Sequence, residues 1–128
     1  MTNEEINKII AEFRGWVEYH PTPESISKGY PHYSYWTPPR DSKQFAENWG
    51  KLELDYPPDY CNDLNAMAEA KNLLTGEKRI GFIDYLCEVV KQDKNINAGP
   101  YSVMIEAFYA AAKQQAIAFV KIIRKWKD

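Results

Sequence analysis

The sequence predicts an α+β fold: a small, mainly antiparallel sheet of about three strands, covered by helices in a three-layer α-β-α sandwich. Three observations carry this expectation. Apolar residues recur at steps of three and four in four separate stretches, as helices with one buried face require. Short runs rich in aromatic and β-branched residues stand at 16–19, 33–36 and 101–108, each of strand length. The resulting order, helix, strand, strand, helix, helix, strand, helix, suits a sheet with helices on both faces. At 128 residues the chain has the length of one domain, and we read it as a single domain over 1–128.

The first helix is expected over about residues 3–13. Thr2 can cap its free N–H groups, and Glu5 stands three residues on, as a capping box requires. Ile6, Ile9, Ile10 and Phe13 then share one face, and Gly15 is a natural stop. Trp16 to Tyr19 follows as a strand, ended by Pro21 and Pro23. Tyr33 to Trp36 alternates as a second strand, antiparallel to the first. The rest of 20–60 reads as loop, because it holds seven of the eight prolines. Its Tyr30, Tyr33, Tyr35, Trp36, Phe45 and Trp49 argue that this long loop folds against the body.

Asp63 or Asn62 caps the next helix, with Leu64, Met67, Ala68 and Leu74 as its expected buried face and Thr75-Gly76 as its stop. Glu77 to Gln92 repeats the pattern with Ile80, Ile83, Leu86, Cys87 and Val90 inward. Gly81 inside it weakens a helix by about 1 kcal/mol relative to alanine. Asp93 to Pro100 is a polar turn, and Tyr101 to Phe108 is the third strand, although the run around MIEAFYAAA also tolerates a helix. The last helix, about 111–126, turns Ala112, Gln115, Ala116, Phe119, Val120, Ile123 and Trp126 inward.

Composition limits function. The apolar fraction is 45%, enough for a real core. Lysine and arginine nearly balance aspartate and glutamate, for a net charge of −2, so the basic excess that drives phosphate binding is missing and nucleic acid is not an expected partner. The N-terminal stretch is polar and the chain has no run of 18 apolar residues, which predicts neither a signal peptide nor a membrane span and places the protein in a cytoplasm. Cys61 and Cys87 belong to no CxxC or Cys/His pattern and read as free thiols, with a disulfide or a reactive thiol as the alternatives.

Two groups of residues are candidates for binding. Asp59, Tyr60, Asn62, Asp63 and Asn65 surround a helix start, where polar side chains and free N–H groups converge on a ligand or, more simply, cap the helix. Trp16, Tyr35 and Trp36, with Tyr30, Tyr33 and Trp49, form the aromatic group. Such rings serve as a lid on the core, as anchors for a protein partner, or as stacking faces for a nucleotide-like ligand. His20 and His32 stand in loops without ligands at metal spacing. Lys113, Lys121, Arg124, Lys125 and Lys127 read as the solvated face of the last helix, with a patch that meets nucleic acid or an acidic protein as the alternative. Glu77, Asp84 and Glu88 form no acid–base pair, and no phosphate loop, nucleophile elbow or zinc-helix motif occurs. We therefore assign no catalytic residue, no metal ligand and no cofactor.

The run Pro58-Asp59-Tyr60, followed by Asn62-Asp63-Leu64-Asn65-Ala66-Met67, resembles the phage α-β-α sandwich domain family, small proteins of phages and prophages. The helix running into Gly15-Trp16, the closing stretch Ala112 to Phe119 and the trailing Lys125-Trp126-Lys127 are similar to members too. Members usually carry Arg where Gln115 stands and Thr or Ser where Ala111 stands, and the loop from Pro21 to Gly50 has no counterpart. The resemblance implies the sandwich fold and no particular activity. The expected function is that of a phage or prophage accessory protein, non-enzymatic, binding a host or phage protein in the host cytoplasm as an oligomer. The alternative is a protein that binds or sequesters a small nucleotide-like ligand beside residues 59–65.

Overall fold

A computed structural model describes residues 1–42, 45, 56–94 and 110–125. Five helices and two strands lie among them: α1 Asn3–Arg14, β1 Val17–Tyr19, α2 Pro23–Ser27, β2 Tyr35–Thr37, α3 Leu64–Lys71, α4 Glu77–Lys94 and α5 Ala112–Lys125. Among the described residues the fold is α+β with a two-stranded antiparallel sheet. The third strand expected over Tyr101–Phe108 lies outside the described residues, as do Trp49, Trp126, Lys127 and the turn after Lys94. Asp93, expected in that turn, is still helical. The chain divides into two compact units, Ala11–Pro57, and Met1–Ile10 together with Pro58–Asp128.

Local chemistry accounts for the ends of α1. The Thr2 backbone N–H donates to Glu5 Oε2 at 2.9 Å, and the Glu5 N–H donates to Thr2 Oγ1 at 3.2 Å. This reciprocal pair satisfies two donors that a helix start leaves open. At the other end Gly15 adopts φ +113° and Trp16 N–H reaches back to the Ala11 carbonyl at 2.9 Å. That left-handed residue with a back-reaching bond is what ends a helix at glycine.

In the unit Ala11–Pro57, β1 and β2 pair with Val17 opposite Thr37, Glu18 opposite Trp36 and Tyr19 opposite Tyr35. Between them is α2, a helix that falls in the stretch read as loop. Its start is spelled out locally: Thr22 caps it, Pro23 takes the first position, and the Thr22 and Ser25 side chains exchange bonds with each other's backbone. It buries no residue, so no apolar stripe announces it.

In the other unit, α4 and α5 form the main packed pair, with α3 against α5. Phe119, Ile10, Met67, Leu74, Ile122 and Val90 are its most deeply buried large side chains. Phe82 meets Phe119 edge-on, with centroids 6.3 Å apart and planes at 70°, an arrangement favoured by the ring quadrupoles. Gly81 faces α5 so closely that a Cβ there would lie 2.5 Å from Ile122 Cδ1.

That contact rotates α4 away from the expected stripe. Phe82, Leu86, Val89 and Val90 are the buried residues, whereas Ile80 is 63% exposed and Ile83 half exposed. Leu86 and Val90 sit inward as expected; Ile80, Ile83 and Cys87 lie on the far flank because Gly81 marks one edge of the inward face. In α3 the buried residues are Ala66, Met67 and Ala70. Met67 and Leu74 are inside as expected, but Leu64 is 55% exposed and Ala68 faces out. The small Ala66 and Ala70 permit close approach there, and Leu64, directly after the cap residue, stands outside the contact. In α5, Ala112, Gln115, Ala116, Phe119 and Val120 are buried as expected, joined by Ala118 and Ile122, while Ile123 is half-buried.

Candidate functional site

The expected site at 59–65 is a structural tie. Asp59 Oδ1 accepts from Asn7 Nδ2 and Oδ2 accepts from Asn62 Nδ2, each at 2.8 Å. Asn7 Oδ1 in turn accepts from the Cys61 backbone N–H at 3.0 Å, and the Cys61 thiol lies 3.8 Å from the Asn3 carbonyl. The bonds from Asn62 and Asn7, with a smaller one from the Cys61 backbone, hold the Asp59 carboxyl below its ordinary range, with burial opposing them weakly. Asp63 caps α3, its Oδ1 accepting from Ala66 N–H at 3.1 Å. Tyr60 is buried, and Asn65 is exposed on the first turn. The polar groups of Asp59, Asn62 and Asp63 are thus engaged with their own chain, and Asp63 is the helix cap.

The aromatic candidates belong to the other unit. Trp16 is buried, while Tyr35 and Trp36 are half-buried on β2. Tyr19 on β1 packs on Tyr35 with centroids 4.7 Å apart and on Tyr30 at 6.3 Å, and Tyr33 meets Tyr35 edge-on at 6.2 Å. The Tyr19 hydroxyl donates to the Pro31 carbonyl at 3.0 Å and lies 2.8 Å from the Ser25 hydroxyl. The cross-strand register brings Tyr19 and Tyr35 together; Tyr30 and Tyr33 extend the cluster into solvent at 53% and 56% exposure. His20 pairs with Glu18 through Nε2 and lies 3.3 Å from Ser34 Oγ through Nδ1. Among the described residues, no three His, Cys, Asp or Glu side chains converge as metal ligands, and no helix is long and apolar enough to cross a membrane.

A further concavity lies elsewhere among the described residues, and sequence reading did not assemble it. A cavity of about 520 Å³ is bounded by the end of α3, the first half of α4 and one residue of α5. Leu74, Phe82, Ile83 and Leu86 make its wall chiefly apolar. The flank of α4 that rotated out of the core, Ile83 and Cys87, forms one side of it. Burial, and secondarily Asp84, pushes the Cys87 thiol up, so it is held in the protonated, unreactive form. Lys71 closes α3 and Arg79 stands in the first turns of α4, and both line the cavity.

The α5 contribution is Gln115, a buried polar residue. Its Nε2 donates to the Ala110 carbonyl at 2.9 Å, which fixes the orientation of the amide. Its Oε1 is buried and has no hydrogen-bond partner among the described residues. A buried acceptor left unmatched costs about 1–3 kcal/mol. The available signal was a polar letter within the inward stripe of the last helix; nothing in the sequence said that Lys71 and Arg79 would stand beside it. The basic letters of α5 fall at a different place, where Lys113, Lys121 and Arg124 edge a smaller groove of about 280 Å³.

No family model, no curated protein and no solved structure matches this chain.

Proposed function

We propose that this chain works by binding, and that its ligand is a small, largely apolar molecule held in the cavity of α3, α4 and α5. One observation carries the reading: Gln115, whose buried Oε1 is unmatched among the described residues, lines a cavity whose wall is chiefly apolar. A ligand with one N–H or O–H donor would match that oxygen once the Gln115 amide turns toward the cavity, while its apolar body would remove the exposed Ile83 surface from water. The volume falls within the roughly 300–1,000 Å³ of small-molecule sites. Titration with N-phenyl-1-naphthylamine, a neutral fluorophore with one N–H donor, tests it. We expect a saturable fluorescence rise at one molecule per chain, lost in Ala68→Trp, which places an indole in the cavity from an exposed position of α3. No saturable rise, or one unchanged by Ala68→Trp, would reject the reading.

A second reading is supported by the tyrosine cluster. Tyr30 and Tyr33 are exposed yet braced by Tyr19 and Tyr35, so as anchors for a protein partner or a second copy of the chain they would lose little side-chain freedom on contact. If the cluster joins two copies, the solution mass of the wild type is that of a dimer and Tyr30→Ser with Tyr33→Ser returns it to a monomer; a monomeric wild type removes that version. The wider picture belongs to the same proposal: a non-enzymatic phage or prophage accessory protein in a host cytoplasm, with a three-layer sandwich fold. Its support is the Pro58–Met67 stretch and the strand-like composition of 101–108.

A further inference from the structure

We infer, on the premise that the cavity of α3, α4 and α5 is a ligand site, that its ligand is an anion: an apolar body carrying one carboxylate or sulfonate held by Lys71 and Arg79. The two cations line the same cavity, and neither has an ion-pair partner among the described residues. Two other cations are matched within their own unit: Arg14 lies 3.5 Å from Asp41 and Lys28 lies 3.1 Å from Glu24.

The surroundings make an unmatched pair of cations costly. Lys71 is half-buried, and its ammonium is pushed below the ordinary lysine range first by that burial and then by the nearby Arg79 guanidinium. Its place at the end of α3 suits a cation, because the carbonyl end of a helix is negative. Arg79 has the opposite setting. It is the third residue of α4, at the positive end of an 18-residue helix, where the dipole disfavours a second positive charge. A neutral ligand would relieve none of this and would add desolvation. An anion would relieve the repulsion between the two side chains and the conflict with the α4 dipole together.

The two residues also suit different parts of that task. The planar guanidinium of Arg79 offers paired N–H donors to two oxygens of one head group, whereas Lys71 supplies a point charge. The head group would rest between them at the exposed side of the cavity, since Arg79 is exposed, and the body would lie against Phe82 and Leu86, which are buried. Gln115 would then receive a donor from the body of the molecule and not from its head.

Two fluorophores separate this inference from its premise. N-Phenyl-1-naphthylamine and 1-anilinonaphthalene-8-sulfonate share the ring system and the N–H donor, and differ in the sulfonate. We expect the sulfonate to bind the wild type tighter by on the order of tenfold, as two partly exposed ion pairs supply together, with the preference shrinking as salt is raised. In the double variant Lys71→Gln, Arg79→Gln the preference should vanish while the neutral probe keeps its affinity within about twofold. Decanoate should displace the bound sulfonate and decanol should not. Equal affinities in the wild type, or a preference that survives the double variant, overturn the anion and leave the cavity standing. Failure of both probes to bind, or binding of both that ignores Ala68→Trp, overturns the cavity and the anion with it.

Discussion

Gly81→Ala sets two opposing effects against each other in the α4–α5 contact. Alanine in the interior of a helix is worth about 1 kcal/mol over glycine. The new methyl, however, would lie 2.5 Å from Ile122 Cδ1, and Ile122 is buried, so its side chain has little room to turn away. Overpacking of this kind costs about 1–3 kcal/mol, which leaves a net loss of roughly 0–2 kcal/mol for the single change. Ile122→Val removes the offending Cδ1 and by itself should cost about 0.5–1.5 kcal/mol. Combined, the two changes should restore the fit, because the methyl introduced by Gly81→Ala takes the volume that Cδ1 leaves, and the double variant should match or exceed the wild type. The coupling between the positions should therefore be favourable by at least about 0.5 kcal/mol. Urea unfolding of the four proteins, read as midpoints at a common m-value, measures it. If Gly81→Ala stabilises by the full helix gain and adds simply to Ile122→Val, the two helices do not meet at Gly81 and the account of the rotated α4 face fails.

Three further outcomes follow from the same coordinates. The Asp59 carboxyl titrates below its ordinary 3.8 in the folded chain, so its contribution to stability is present above that value and is lost as pH falls through the lower folded one; Asp59→Asn should be less stable at neutral pH by a margin that closes in acid, and a constant margin from pH 7 to pH 2 would contradict the tie to Asn7 and Asn62. Gly15→Ala puts a side chain at φ +113° and a Cβ 3.3 Å from Pro39 Cβ; a loss of at least about 1 kcal/mol should lower the Tm by several degrees, and an unchanged Tm would show that this turn relaxes freely. Gln115→Met removes the unmatched acceptor together with the bond to Ala110; the two effects offset, so stability should stay within about 1 kcal/mol of the wild type while affinity for N-phenyl-1-naphthylamine drops several-fold, and undiminished affinity would detach Gln115 from ligand recognition.

Features that depend on chain neighbours were legible in the sequence, because their partners lie within four residues. The Thr2–Glu5 box, Gly15 after α1 and the Asp63 cap of α3 are of this kind, and each sits at the expected position. The antiparallel pairing of the two strand-like runs 16–19 and 33–36 was also readable, although the residues that pair are 17–19 and 35–37. Within that stretch α2 went unread, although Thr22, Pro23 and Ser25 spell its start, because a five-residue helix that buries nothing leaves no periodic trace. The polar cluster at 59–65 was located from the sequence; Asp63 in it caps α3, while Asp59 and Asn62 bond to each other.

What depends on rotation about a helix axis was decided only by packing. The apolar letters of 80–90 allow more than one inward face, and the Gly81–Ile122 contact, between residues 41 positions apart, selects the one centred on Phe82, Leu86 and Val89. The same choice turns Ile83 and Cys87 toward α3 and creates the cavity wall. Lys71, Arg79 and Gln115 become neighbours of one cavity through that choice alone. Periodicity along a chain states which residues can share a face; the angle at which two faces meet is set by side-chain volumes on both helices at once, and no single stretch of sequence carries it.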